Sequence, residues 1–259
     1  MNGLIHLTTI DYVIVLPFIF LAGLIDSIAG GGGLISLPAY VGSGLPPHVA
    51  LGTNKFSSCF GTVFSTANYL RAKMIDLPVA LLSAAFALLG SWMGTRTVLI
   101  LPSDFVRYLL LVLIPVIAVV SLLNRNMGLR NHSHLLRLGY RLLLGALAGL
   151  VIGFYDGFFG PGTGTFLIMI YTILLHYDFI VANGNTKVVN LASNVAALAT
   201  FAAAGSVYYP IAVPGAACGI AGNLIGSRLV IRKGNKLIRS IFILALLLLL
   251  GRIIYDLVA

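Results

Sequence analysis

Charge is what this sequence has least of. Only 9% of its 259 residues are charged, against roughly a quarter in a soluble globular domain, while 59% are hydrophobic. Such a chain lacks the polar surface to cover a water-soluble core, so an integral membrane protein is expected. Cysteine is nearly as scarce. Cys59 and Cys218 stand far apart on apolar segments with no CxxC, which excludes a disulfide framework or thiolate metal site and leaves them as packing residues. The histidines His6, His48, His132, His134 and His176 form no ligand pattern and are expected in interfacial loops, so no metal or other cofactor is anticipated.

Signatures of catalysis are missing as well. No GxxxxGK[ST] occurs and neither glycine run follows a strand in a βαβ unit, which argues against a nucleotide enzyme. No GxSxG is present for a membrane hydrolase. The chain is not expected to be an enzyme.

What the sequence does hold is long apolar runs. Residues 77–101, 105–123, 211–231 and 237–259 each approach or exceed the ~20 residues that cross hydrocarbon as helix. Alternating segments of about ten residues, the mark of a membrane β-barrel, are absent from the sequence. The first residues carry no basic region or cleavage site, so the first apolar segment is expected to stay in the mature protein. The formal charge of +9 is read as topology rather than nucleic-acid binding, because lysine and arginine flank membrane spans.

The chain also repeats itself. "GLIDSIAGGGG" is answered by "GFYDGFFGPGTG", pairing Gly23 with Gly153, Asp26 with Asp156, Gly30 with Gly160 and Gly32 with Gly162. After a slip of two residues the register continues through Lys55 with Lys187, Gly90 with Gly222, Gly94 with Gly226 and Arg96 with Arg228. We therefore divide the chain into an N-terminal repeat (1–123), a linker (124–141) and a C-terminal repeat (142–259). Basic residues crowd the linker, the turn at Arg71 and Lys73, and residues 228–239, which assigns those loops to the cytoplasm. Equivalent loops of the two halves then prefer opposite sides, as inverted-topology repeats require. Arg96, Arg107 and Arg252 fall near the outer face and count against that arrangement.

The expected fold is an all-α polytopic membrane protein of about 8 to 10 helical segments, with both termini outside. Residues 12–28 with 34–41, and 138–159 with 165–176, would form glycine-broken pairs, either re-entrant or spanning.

Backbone at membrane depth must be hydrogen-bonded unless it lines protein or a watery cavity, so the breaks are candidate sites. Gly30, Gly31, Gly32 and Gly33, and Gly160, Gly162, Thr163 and Gly164 around Pro161, let the chain turn, and each restarting helix would offer free N–H groups to an anion. Glycines also permit close helix packing, but two register-related runs beside aspartates favour a site. The second constellation is "LGTNKFSS" with "NGNTKVVNLASN". There Lys55 and Lys187 would complement an anion, while Thr53, Asn54, Asn185 and Thr186 would cap helix starts and donate to its oxygens. Snorkelling is the competing role for the lysines. Asn190 and Asn194 share one face if they are helical.

Asp26 and Asp156 have two open roles: pairing with lysine or capping the break, or titrating to couple transport to protons. Arg96 and Arg228 are candidate gates at the mouths of the path, or interface anchors.

These motifs resemble the TauE/SafE (TSUP) family of membrane transporters, in particular its YfcA-like branch, over nearly the whole chain. The resemblance implies a bacterial inner-membrane carrier, usually of about eight spans, with relatives that export sulfite or organosulfonates. The function expected is secondary transport of a small anion, sulfite, an organosulfonate or a related organic anion, outward by alternating access. The alternatives are a proton-coupled carrier of a neutral or cationic metabolite using Asp26 and Asp156, and a channel. The expected partners are the small anionic substrate and the lipid bilayer, with monomer or homodimer left open.

Overall fold

The computed structural model describes residues 7–106, 108 and 130–234. Described residues form helices without strands: α1 (Thr9–Ala29), α2 (Gly33–Gly42), α3 (Pro47–Arg71), α4 (Leu77–Leu99), α5 (Leu138–Phe158), α6 (Thr163–Ile173), α7 (Phe179–Ala203) and α8 (Tyr209–Lys233). A short 3₁₀ turn, Ser133–Leu135, precedes α5. The span expected at 237–259 and nearly all of that at 105–123 lie outside the described residues. So do linker residues 124–129, Arg107, Arg239, Arg252 and both chain ends, which carry the expected placement of the termini.

Among the described residues four helices, α1, α4, α5 and α8, are long and apolar enough to cross a bilayer. Their outward faces expose large apolar side chains, among them Phe18, Leu88, Val151 and Val213, as a lipid-contacting protein demands. The protein is a polytopic α-helical membrane protein. Two further helices, α3 and α7, match α8 at 25 residues, and each carries buried lysine, amide and hydroxyl side chains.

The element order repeats: a long helix, a short one, then two long ones. Lys55 of α3 bonds Asn194 of α7, whereas Thr66, farther along α3, bonds the carbonyl of Lys187, nearer the start of α7. These register-equivalent helices therefore run antiparallel, which is the relation an inverted duplication needs.

Glycine sets the packing of the other long helices. Methyl groups built on Gly149 and Gly157 of α5 would lie 2.1 and 2.0 Å from the carbonyl oxygens of Ser83 and Ser91 on α4. The equal steps along both chains make α4 and α5 parallel, with their backbones almost touching. The equivalent contact joins α8 to α1, where Gly222 and Gly226 meet the backbone of Phe20 and Leu24. Small residues bring membrane helices into van der Waals contact where no hydrophobic drive exists. The repeated blocks "GSWMGTR" and "GNLIGSR" are thus helix-contact surfaces, and each joins one half of the chain to the other.

Candidate functional site

The breaks lie where expected. The chain leaves α1 at Gly30 and restarts at Gly33; it leaves α5 at Phe159 and restarts at Thr163. Gly30 has φ of +71° and Gly162 has φ of +82°, a left-handed backbone that side-chain-bearing residues rarely adopt. The two breaks also touch. A methyl on Gly30 would fall 2.4 Å from the carbonyl carbon of Gly164, so glycine is required there by sterics and conformation together.

The carbonyls freed at the end of α1 are met by side chains. Asn183 of α7 donates to the carbonyls of Ser27 and Ile28 at 3.0 and 2.8 Å, and the Tyr69 hydroxyl donates to Ser27 at 2.9 Å. The restarts are less fully met: at α2 the Asp26 carboxylate accepts from the Gly32 N–H at 3.4 Å, and at α6 the N-cap is Gly162, which has no side chain to cap with. Orphan N–H groups at a helix start carry about half a positive charge.

Both restarts open on one cavity of about 40 Å³, bordered by Gly32, Gly33, Gly162 and Gly164. By the ~10–15 Å³ that one water needs, it holds about three waters, a volume suited to an ion of a few heavy atoms.

Lys55 and Asp156 line the cavity as an ion pair 2.8 Å apart, each side chain 3% exposed. Lys55 also donates to Asn194 Oδ1 at 3.0 Å. Asp156 accepts from Thr163 Oγ1 at 2.8 Å and from Ser193 Oγ at 2.5 Å. The register-equivalent pair is Lys187 with Asp26, 2.9 Å apart, and Lys187 also bonds the Asp26 backbone carbonyl. Asp26 faces the cavity, but Lys187 is fully buried behind it. Neither lysine snorkels, and each aspartate is paired across the halves.

Amides supply the remaining polarity. Asn190 and Asn194 sit one turn apart on α7 and both face the cavity, as does Asn54 of α3. Since an ammonium only donates, Lys55 fixes Asn194 Oδ1 and leaves Nδ2 as a donor. The Asn190 side chain, 6% exposed, has no hydrogen-bond partner among the described residues. Asn54 Oδ1 lies 2.6 Å from the Ser36 hydroxyl.

Besides Lys187, four residues grouped with these in the sequence do not reach the cavity. Thr53 accepts from the backbone N–H of Tyr208, and Asn185 accepts from that of Asp76, so the equivalent pair caps α8 and α4. Thr186 is buried with its hydroxyl unpartnered, and Gly30 packs on Gly164. The motifs were expected to open helices, but α3 begins at Pro47 and α7 at Phe179, which places both lysines about two turns inside. Gly31 and Thr163 line the cavity, while Gly160 lies within van der Waals reach of Lys55 Nζ as well. Arg96 stacks over Trp92, its guanidinium carbon 4.4 Å from the ring centroid, and is exposed, as is Arg228. Neither borders the cavity.

Ser36, Ser193 and Asn223 join the site without having been singled out in the sequence. Asn223 occupies the second position of the repeated block "GNLIGSR", whose counterpart Ser91 donates to the Ser193 carbonyl at 2.6 Å. A polar residue at one position in both copies was the available signal.

Three comparisons bear on this arrangement. The family model described as Sulfite exporter TauE/SafE matches residues 15–253. The chain is 35% identical over 236 residues to the probable membrane transporter protein YfcA of Escherichia coli (strain K12), spanning 91% of this chain and 87% of that protein. It is 38% identical over 242 residues to the probable membrane transporter protein ORF9 of Sinorhizobium sp, spanning 92% and 90%. A shorter match, 30% identical over 94 residues, is to Sulfite exporter TauE/SafE family protein 3 of Arabidopsis thaliana, spanning 36% of this chain and 20% of that one. No solved structure matches.

Proposed function

The chain belongs to the sulfite exporter TauE/SafE family of membrane transporters, and we propose that it is a secondary carrier exporting a small oxyanion across the bacterial inner membrane. The substrate is sulfite or a related sulfur-containing or organic anion of similar size. The observation that carries this reading is the convergence of two helix starts on one polar cavity walled by Lys55 and by the amides of Asn54, Asn190 and Asn194. Oriented N–H groups solvate oxyanion oxygens without reorganising, and a dry site strengthens each bond.

The grouping of the helices supports alternating access. The packed pair α1 and α8, extended by α3, faces the packed pair α4 and α5, extended by α7. Both ion pairs cross between these groups, Lys55 to Asp156 and Lys187 to Asp26. Rocking of one group on the other, about the cavity, would expose the ligand first to one side and then to the other. Export uses the inside-negative potential, which drives an anion outward with about 2.3 kcal/mol per charge per 100 mV.

Pairing of both aspartates with buried lysines leaves no bare carboxylate to hold a cation, so this reading is preferred to the proton-coupled carrier. Counterflow of labelled sulfite into proteoliposomes tests it. Saturable exchange is expected, and its absence for sulfite, small sulfonates and small carboxylates alike would overturn the proposal.

A further inference from the structure

The formal charges around the cavity cancel. Asp26 of α1, Asp156 of α5 and Lys55 of α3 border it, and Lys187 of α7 completes the set from behind Asp26. Helices α2, α4, α6 and α8 bring no titratable side chain to the wall, and the neighbouring Tyr40, Cys59 and Tyr155 stand outside it. What attracts an anion here is therefore dipolar. The carbonyl ends of α1 and α5 are met by Asn183, Tyr69 and Thr95, so the two helix starts, of which α2 gives only its Gly32 N–H to Asp26, offer at most about one positive charge together.

The amide of Asn190 is the second observation. It lines the cavity, is 6% exposed and has no partner among the described residues. An amide both donates and accepts, so it can bond an oxyanion oxygen and also receive a proton that the ion carries.

Resting on the transport reading above, we infer that the carried species is a monoanion: the hydrogen form of a diprotic oxyacid, or the ion of a monoprotic one. A dianion of the same shape is rejected, because its second charge would be buried with nothing to balance it.

Sulfite and chlorate make the test. Both are pyramidal four-atom ions with the same electron count, but chlorate is singly charged at every working pH, whereas sulfite passes from monoanion to dianion near neutrality. Each is assayed alone in proteoliposomes of the full chain across that range. Chlorate flux is expected to stay flat with pH, while sulfite flux falls about tenfold for each pH unit above its second ionisation. Sulfite flux that holds or rises with pH, exclusion of chlorate while sulfite moves, or a parallel fall of both ions would overturn the inference. Flux of neither ion would overturn the inference, and the transport reading falls with it only where small sulfonates and small carboxylates are not carried either. An Asp156→Asn variant that elutes as the wild type from gel filtration frees the Lys55 charge and is expected to flatten the fall of sulfite flux at high pH. An unchanged tenfold slope in that variant would count against the charge balance described here.

Discussion

Lys55 on α3 holds the carboxylate of Asp156 on α5 at 2.8 Å, deep in the protein and 101 positions along the chain. Its equivalent, Lys187 with Asp26, repeats the bond in the opposite sense between the halves. Burying two charges is tolerable only while both are present, since a lone buried ion forfeits about 3–5 kcal/mol.

Removing one partner should therefore hurt more than removing both. Asp156→Asn is expected to lower the unfolding temperature in detergent clearly, while the Lys55→Met, Asp156→Met double variant recovers most of that loss without recovering transport. Single variants as stable as the wild type would show that the pair carries no structural weight.

The two lysines should differ in function. Lys55 borders the cavity and Lys187 does not. Lys55→Ala leaves the Asp156 carboxylate unbalanced in the cavity wall, and that like charge is expected to raise KM about tenfold or more. Lys187→Ala should lower stability and raise KM less than Lys55→Ala, because Lys187 stands behind Asp26 rather than in the cavity wall. KM and unfolding temperature measured on both variants decide this, and equal KM changes would contradict it.

Helix contact predicts a graded response to added methyls. Gly157→Ala places its Cβ 2.0 Å from the Ser91 carbonyl oxygen and should destabilise by about 1–3 kcal/mol. Gly139→Ala, with open space around it, should be neutral or stabilising by about 0.5–1 kcal/mol. Thermal unfolding in one detergent compares them; equal shifts would remove close packing as the reason for glycine at 157.

Gly30→Ala tests the meeting of the two breaks. Strain at φ +71° and overlap with Gly164 act together, so little folded protein is expected on membrane extraction. At Gly44, φ is +89° but nothing lies within 4 Å, and alanine there should only lower stability modestly. Equal yields from the two variants would contradict the contact.

Much of this was legible in the sequence because the chain was written twice. The register that paired Asp26 with Asp156 and Lys55 with Lys187 marked the residues that meet, although not that each aspartate meets the lysine of the other half. A repeat reports equivalence, not contact. Likewise Thr53 and Asn185 read as both helix caps and ligands; they do meet the helix starts at Tyr208 and Asp76, and the helix thereby turns them away from the cavity. Ser36 and Ser193 were hidden because a single serine in an apolar helix has no pattern until its partner across the fold is known.

The central claim is that an anion sits between the two helix restarts, and a structure of the protein soaked with selenite tests it most directly. Selenite keeps the pyramidal shape of sulfite and carries an anomalous scatterer. The account predicts an anomalous peak in the cavity, within hydrogen-bond distance of the Asn190 amide and the first N–H groups of α2 and α6. A peak at the protein surface alone, or density for selenite elsewhere in the bundle with the cavity left to water, would contradict it.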